Sequence, residues 1–247
     1  MTTRQFKEQD LGAAQFINVN LYKAEFDDVN MAEAVIHNAN LANARIYDAN
    51  IQGMTIYGIR VDILIEQEFD RRDPMRVQLR MQDVHDTAEV QRVMRVLNST
   101  RDRFTETLRA QSPDILNSHP GPQRWSALEH LRHLVFAEDL YLNRWILRND
   151  KSWIKLGFLP PFLYGNPAYA AVGTAPTQNL EQVVAVWQKL HAELLAWIEQ
   201  AQQIDLHRDT SQIAFGQQTI GDVLQTLASH DLQHIRMAET AITDSLS

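Results

Sequence analysis

Two histidines four residues apart, His230 and His234, stand in the stretch SHDLQHIRMAE, Ser229–Glu239. A helix turns about 100° per residue, so both rings fall on one face, one turn apart, and can point at one ion. Imidazole nitrogens bind Zn²⁺ and similar ions at about 2.1 Å. Two ligands hold a cation weakly, so a third side chain is required. His130, His133 and His191 lie in other helical stretches, and spacing alone leaves all three open. His37, His85, His119 and His207 lie outside those stretches or at their edges. Paired histidines on a helix face also arise without a metal, satisfied by backbone or carboxylate hydrogen bonds. HDLQH further reads as a variant of the zinc-protease helix H-E-x-x-H. Asp231, however, is one methylene shorter than the Glu that serves there as base, and no later ligand completes that pattern.

Three neutral imidazoles would leave an ion its positive charge and open positions. Such a centre activates a water for attack on a carbonyl or phosphoryl group, or holds a thiol as thiolate for delivery to an electrophile. Glu129, Asp231 and Glu138 are the nearby acid/base candidates, and none is assigned that role. Glu129 reads as the capping-box partner of Ser126. Asp231 and Glu138 read as groups that orient histidines or face solvent. Arg236 points away from the metal face.

Four amphipathic helical stretches must position these residues. They run over about 87–110, 126–148, 180–201 and 220–242, which argues for a helical bundle. The connection Asn149–Pro176 is too long for a simple link and covers one end of the bundle. It holds Trp153, Phe158, Phe162, Tyr164 and Tyr169. Trp153, Phe158 and Tyr164 are the candidates for substrate contact in an apolar pocket. Packing of the loop onto the helices is the plainer role of the same rings.

Upstream the period changes. Every fifth residue from Leu11 to Val61 is apolar (Leu11, Phe16, Leu21, Phe26, Met31 and onward), with mostly small residues two positions before each and frequent Asn between. A period of five suits neither a helix nor a flat strand. It suits a four-sided coil with five residues per side, stacked about 4.8 Å apart. The charged stretch 62–74, ending at Pro74, reads as a linker or cap.

Bulk properties bound the partners. The 247 residues carry a net charge of −8 with no basic stripe, which disfavours nucleic acid. Nine histidines and no cysteine exclude disulfides, thiolate zinc sites and cysteine nucleophiles. A cysteine-free chain suits the cytoplasm, MTTRQFKEQD lacks the apolar core of a signal peptide, and no apolar run spans a bilayer.

ANLANARIYDANIQG, Ala39–Gly53, resembles the pentapeptide-repeat family, which implies a right-handed quadrilateral β-helix. Some members of that family are acidic rods that mimic DNA; eleven units make fewer than three coils, which fits a packing or dimerisation module better. RWSALEHLRHLVFAE, Arg124–Glu138, together with the later H-x-x-x-H, resembles the DinB-like (YfiT-like) superfamily over about 87–242. That resemblance implies a four-helix bundle and makes His133, His230 and His234 the ligands of one divalent metal, zinc or nickel first and iron also accepted. His130 lies outside the pattern and reads as a partly exposed neighbour. Characterised branches use low-molecular-weight thiols, and others are taken for hydrolases.

The expected architecture is α+β in two parts: a pentapeptide-repeat β-helix over 1–65, a linker or cap over 66–82, and a DinB-like four-helix bundle over 83–247. The expected function is hydrolysis or thiol transfer on a small molecule, in a cytoplasmic protein that can form a homodimer, without nucleic acid or membrane. The alternative is a non-catalytic binding or assembly module in which a metal, structural or vestigial, staples the second helix to the fourth.

Overall fold

The computed structural model describes residues 5–47, 49–121, 124–149, 151–175, 179–210 and 218–246. Residues 1–4 of the N-terminal stretch read for a signal peptide, and 150 and 176 of the long connection, lie outside these. The chain divides into two compact units, Met1–Asn50 and Ile51–Ser247.

The first unit keeps the five-residue period in its backbone. Left-handed φ recurs at Glu8, Ala13, Asn18, Lys23, Asp28, Glu33, Asn38 and Asn43. Every second corner is a hydrogen-bonded turn, in which the amides of Ala14, Ala24, Ala34 and Ala44 donate to the carbonyls of Leu11, Leu21, Met31 and Leu41. Asp10, Asn20, Asn30 and Asn40 close each of these turns with a side-chain oxygen that accepts from the amide two residues on. The corners therefore follow the sequence period. The apolar rows stay exposed: Leu11 is 46% and Phe16 60% exposed, and no strand is present among the described residues of this unit.

The second unit is helical apart from a two-stranded antiparallel hairpin, β1 (Thr55–Ile56) and β2 (Ile59–Arg60). The charged segment then forms α1 (Val61–Arg72), which buries no residue, and α2 (Pro74–Gln78). Four long helices follow among shorter ones: α3 (Thr87–Arg109), α4 (Pro113–Asn117), α5 (Ala127–Glu138), α6 (Leu180–Gln200), α7 (Gln203–Leu206) and α8 (Ile220–Leu246). Helix α5 packs on α8 and α6, and α3 packs on α6 and α8. One apolar core lies between them, with Leu97, Phe104, Leu131, Leu134, Trp187, Leu194, Leu224 and Leu227 among its members. Among the described residues no helix is long and apolar enough to cross a membrane.

Local chemistry sets the helix starts. The Asp86 carboxylate accepts from the amides of Ala88 and Glu89 at the head of α3. Ser126 and Glu129 form the expected capping box on α5, and Asn179 caps α6. Thr219 and Asp222 exchange the same pair of bonds before α8. Gly221 lets the first turn of α8 approach α3's leading loop, since a Cβ there would lie 2.2 Å from the Val84 carbonyl oxygen.

The second helical stretch does not stay α to its end. From Asp139 to Ile146 it widens into π-helix, and the Leu147 amide donates to the carbonyl five residues back, at Leu142. Buried Asp139 and Asn143 anchor this widening. Asn143 Nδ2 donates to Asp139 Oδ1 at 2.6 Å, while Asp139 Oδ2 accepts the Ile154 amide at 3.0 Å, which ties the long connection down.

Candidate metal centre

Helix α5 is buried along almost every position, so its polar residues face other helices rather than water. His130 and His133 lie one turn apart on the face turned to α8, which offers His230 and His234. The four rings pair off as two rungs. His133 Nε2 stands 3.3 Å from His230 Nε2, and His130 Nδ1 stands 3.0 Å from His234 Nδ1.

His133, His230 and His234 form the group, among the described residues, whose ligand atoms all lie within 4.8 Å of one another and which could hold a metal ion. A tetrahedral ion about 2.1 Å from each nitrogen needs neighbouring nitrogens about 3.4 Å apart. The 3.3 Å between His133 and His230 meets that requirement. The orientation of His133 fits as well. Its Nδ1 lies 3.0 Å from the Phe158 carbonyl oxygen, which can only accept, so Nδ1 carries the proton and Nε2 is bare. His230 Nδ1 is buried without a hydrogen-bond partner, which leaves Nε2 as the nitrogen turned to the group. The donor set is thus three imidazoles from two helices.

Burial keeps these rings neutral. Desolvation, reinforced by neighbouring histidines, lowers His130 to about 4 and His230 to about 3 and lowers His234; burial lowers His133 too, against the opposing hydrogen bond to the Phe158 carbonyl. A neutral ring keeps the lone pair that a cation needs.

Trp125 covers the group. Its ring lies 5.0 Å from His133 and 5.3 Å from His130, and it stacks on His234 at 5.8 Å with a 21° tilt. Phe158 meets Trp125 edge-on at 5.1 Å, and Tyr141 from the π segment meets His230 at 6.0 Å. Of the three rings expected to contact substrate, Phe158 therefore borders the histidines. Its backbone is held there by Arg132, whose guanidinium donates to the carbonyls of Leu156 and Gly157. Trp153 sits one ring farther out, against Phe136 and Tyr169. Tyr164 and Phe162 are exposed.

The remaining candidates separate clearly. His130 is buried at 5% exposure, not partly exposed: α5 is enclosed on the α8 side, so position 130 shares the interior with 133. His191 belongs to a second cluster, with Nδ1 3.2 Å from Glu138 Oε1 and in contact with Arg101. Asp231 and Glu138 are occupied elsewhere. Arg101 from α3 donates to Asp231 Oδ2 through Nε at 2.6 Å and to Glu138 Oε1 through Nη1 at 2.9 Å. Neither carboxylate faces solvent. Glu129 is the cap, and Arg236 pairs with Asp73 and Glu239. Sequence spacing missed Arg101 and Trp125 as parts of the site, and it left His130 open until the resemblance set it aside. The i, i+3 pair His130/His133 opposite the i, i+4 pair His230/His234 was the signal for His130.

A family model of the DinB superfamily matches residues 96–238. Pentapeptide repeats match in eight copies over residues 10–53. No curated protein and no solved structure matches the chain.

Proposed function

We propose that this chain, which belongs to the DinB superfamily, is a divalent-metal-dependent enzyme acting on a small molecule, by hydrolysis or by transfer of a low-molecular-weight thiol. The observation that supports this reading most is the convergence of His133, His230 and His234 as neutral imidazoles, with the neighbouring carboxylates Asp231 and Glu138 engaged by Arg101. The three rings would hold zinc or nickel, and would accept iron. A bound cation supplies Lewis acidity, which lowers the pKa of a water or thiol and polarises a carbonyl or phosphoryl oxygen. The protein's own part is positional. The Phe158 carbonyl holds the His133 proton on Nδ1, Trp125 and Phe158 wall the histidines with aromatic surface, and Tyr141 closes the His230 side.

In this reading α3, α5, α6 and α8 form a four-helix bundle over 83–247, following 66–82 as a linker or cap. The repeats, expected over 1–65 and ending before α1 begins at Val61, are read as a right-handed quadrilateral β-helix that serves packing or dimerisation. Of the expected substrate contacts Trp153, Phe158 and Tyr164, Phe158 is the ring that borders the histidines and is proposed to meet the substrate there, in a protein that works in the cytoplasm.

A second reading, a structural metal that staples α5 to α8, draws on one observation: His130 lies close enough to His234 to be considered as a fourth imidazole. Elemental analysis of the purified protein tests the leading reading. The expected result is about one divalent ion per chain, lost in His133→Ala. Equal metal content in both proteins would overturn it. Retention of the ion after removal of an exogenous thiol or chelatable ligand, with four protein nitrogens around it by X-ray absorption, would favour the staple.

A further inference from the structure

His130 lies outside the group of three, yet it touches one member. The ligand atoms of His133, His230 and His234 lie within 4.8 Å of one another, and His130 is not one of that group. Its Nδ1 nevertheless stands 3.0 Å from Nδ1 of His234.

A neutral imidazole has one N–H and one lone pair, on opposite nitrogens. Two facing Nδ1 atoms bond only if one of them donates. Were His130 the donor, His234 would accept at Nδ1, carry its proton on Nε2 and be lost as a ligand through that atom. With His234 as the donor, its Nε2 is bare. That state matches His133, which donates from Nδ1 to Phe158 and presents Nε2.

We propose that His130 is a positioning residue, accepting the Nδ1 proton of His234 and thereby presenting Nε2 of His234 to a divalent cation. The inference rests on the reading of the three histidines as a metal centre. Metal-bound histidines commonly give this proton to a carboxylate or a backbone carbonyl. Of the buried carboxylates here, Asp231 and Glu138 bond Arg101, and Asp139 bonds Asn143 and the Ile154 amide, so an imidazole takes the role. Both rings are held in place. Trp125 stacks on His234 and lies 5.3 Å from His130, so neither ring can rotate outward without losing that contact.

Zn²⁺ binding by the full chain, measured calorimetrically for wild type, His130→Ala, His130→Gln and His133→Ala, tests this. His130→Ala is expected to weaken binding about 10- to 100-fold, the usual effect of removing such a partner. His130→Gln, whose amide oxygen also accepts a hydrogen bond, recovers most of that loss, and it serves as the folded comparison where the Ala variant unfolds. The Co²⁺ absorption spectrum of His130→Gln matches the wild type because the ligands are unchanged. Nitrogen NMR of the metal-free wild type places the imidazole proton of His234 on Nδ1. Zn²⁺ affinity within twofold of wild type in both His130 variants, or a His234 proton on Nε2, overturns the proposal and leaves the three-histidine centre intact. Loss of one coordinated imidazole in the Co²⁺ spectrum of His130→Gln also overturns it, by making His130 a ligand. A wild type that binds no Zn²⁺ or Co²⁺ sinks the metal centre and this inference together.

Discussion

Arg101→Met isolates the interaction that locks α8 at the position of its histidines. Arg101 comes from α3, is 3% exposed, and bridges Asp231 on α8 to Glu138 at the end of α5. Asp231 directly follows His230, so the ion pair sets how α8 presents that ring. Methionine keeps much of the volume and removes the charge. Breaking a buried pair by deleting one partner costs about 3–5 kcal/mol, because the carboxylates stay buried without a counter-charge. At about 2–4 °C per kcal/mol for a unit of this size, the melting temperature should fall by about 10 °C. The sign with pH follows from burial. Desolvation already raises Glu138 to about 8 and raises Asp231, with Arg101 opposing both shifts. Without Arg101 the two carboxyls hold their protons more tightly, and a carboxyl whose folded pKa is raised loses stability as pH rises. The deficit of the variant should therefore be larger at pH 8 than at pH 6. Thermal unfolding followed by circular dichroism at both pH values measures it. Adding Asp231→Asn and Glu138→Gln should return at least half of the loss. A deficit below about 1 kcal/mol at pH 8 would refute the claim that this cation holds the helices together.

The metal-free protein should lose stability in acid. The folded pKa of His130, lowered from 6.5 to about 4 mainly by burial, makes the folded state bind fewer protons than the unfolded one below pH 6.5. Stability is then full above that value, and this ring alone forfeits about 3 kcal/mol by pH 4; urea midpoints that stay flat over the interval would contradict it. Gly221→Ala should destabilise by about 1–3 kcal/mol, because overlap with the Val84 carbonyl outweighs the gain in helix propensity of about 1 kcal/mol. Equal or higher thermal stability of that variant would show that the loop before α3 yields. Trp125→Leu should leave the helical content unchanged and make the histidines more accessible, read as faster release of bound Zn²⁺ to a chelator; an unchanged release rate would remove the indole as a cover.

Much of this molecule was legible in one dimension because its determinants are local. Helix propagation and capping depend on residues within a turn of each other. Ser126 with Glu129 therefore announced its helix, and α3 and α6 end within a residue or two of the expected positions. The five-residue period of the first unit is equally local, and it reappears as left-handed corners. Whether its apolar rows become an interior depends on coil meeting coil, which spacing along the chain does not encode. Those side chains are exposed here.

The histidines divide along the same line. His230 and His234 share a helix, so four residues of spacing put their rings on one face whatever else the chain does. Which distant ring joins them depends on the crossing of α5 over α8. Spacing could not choose among His130, His133 and His191; resemblance pointed to His133, and the packing brings its Nε2 to His230. Packing also carried His191 away to Arg101 and Glu138, and it placed His130 against His234. Charge neutrality of the rings, and the commitment of Asp231 and Glu138 to Arg101, follow from burial and from contacts more than 30 residues apart in sequence. Desolvation and long-range pairing exist only once the helices have closed on one another, and for that reason they left no trace in the order of the residues.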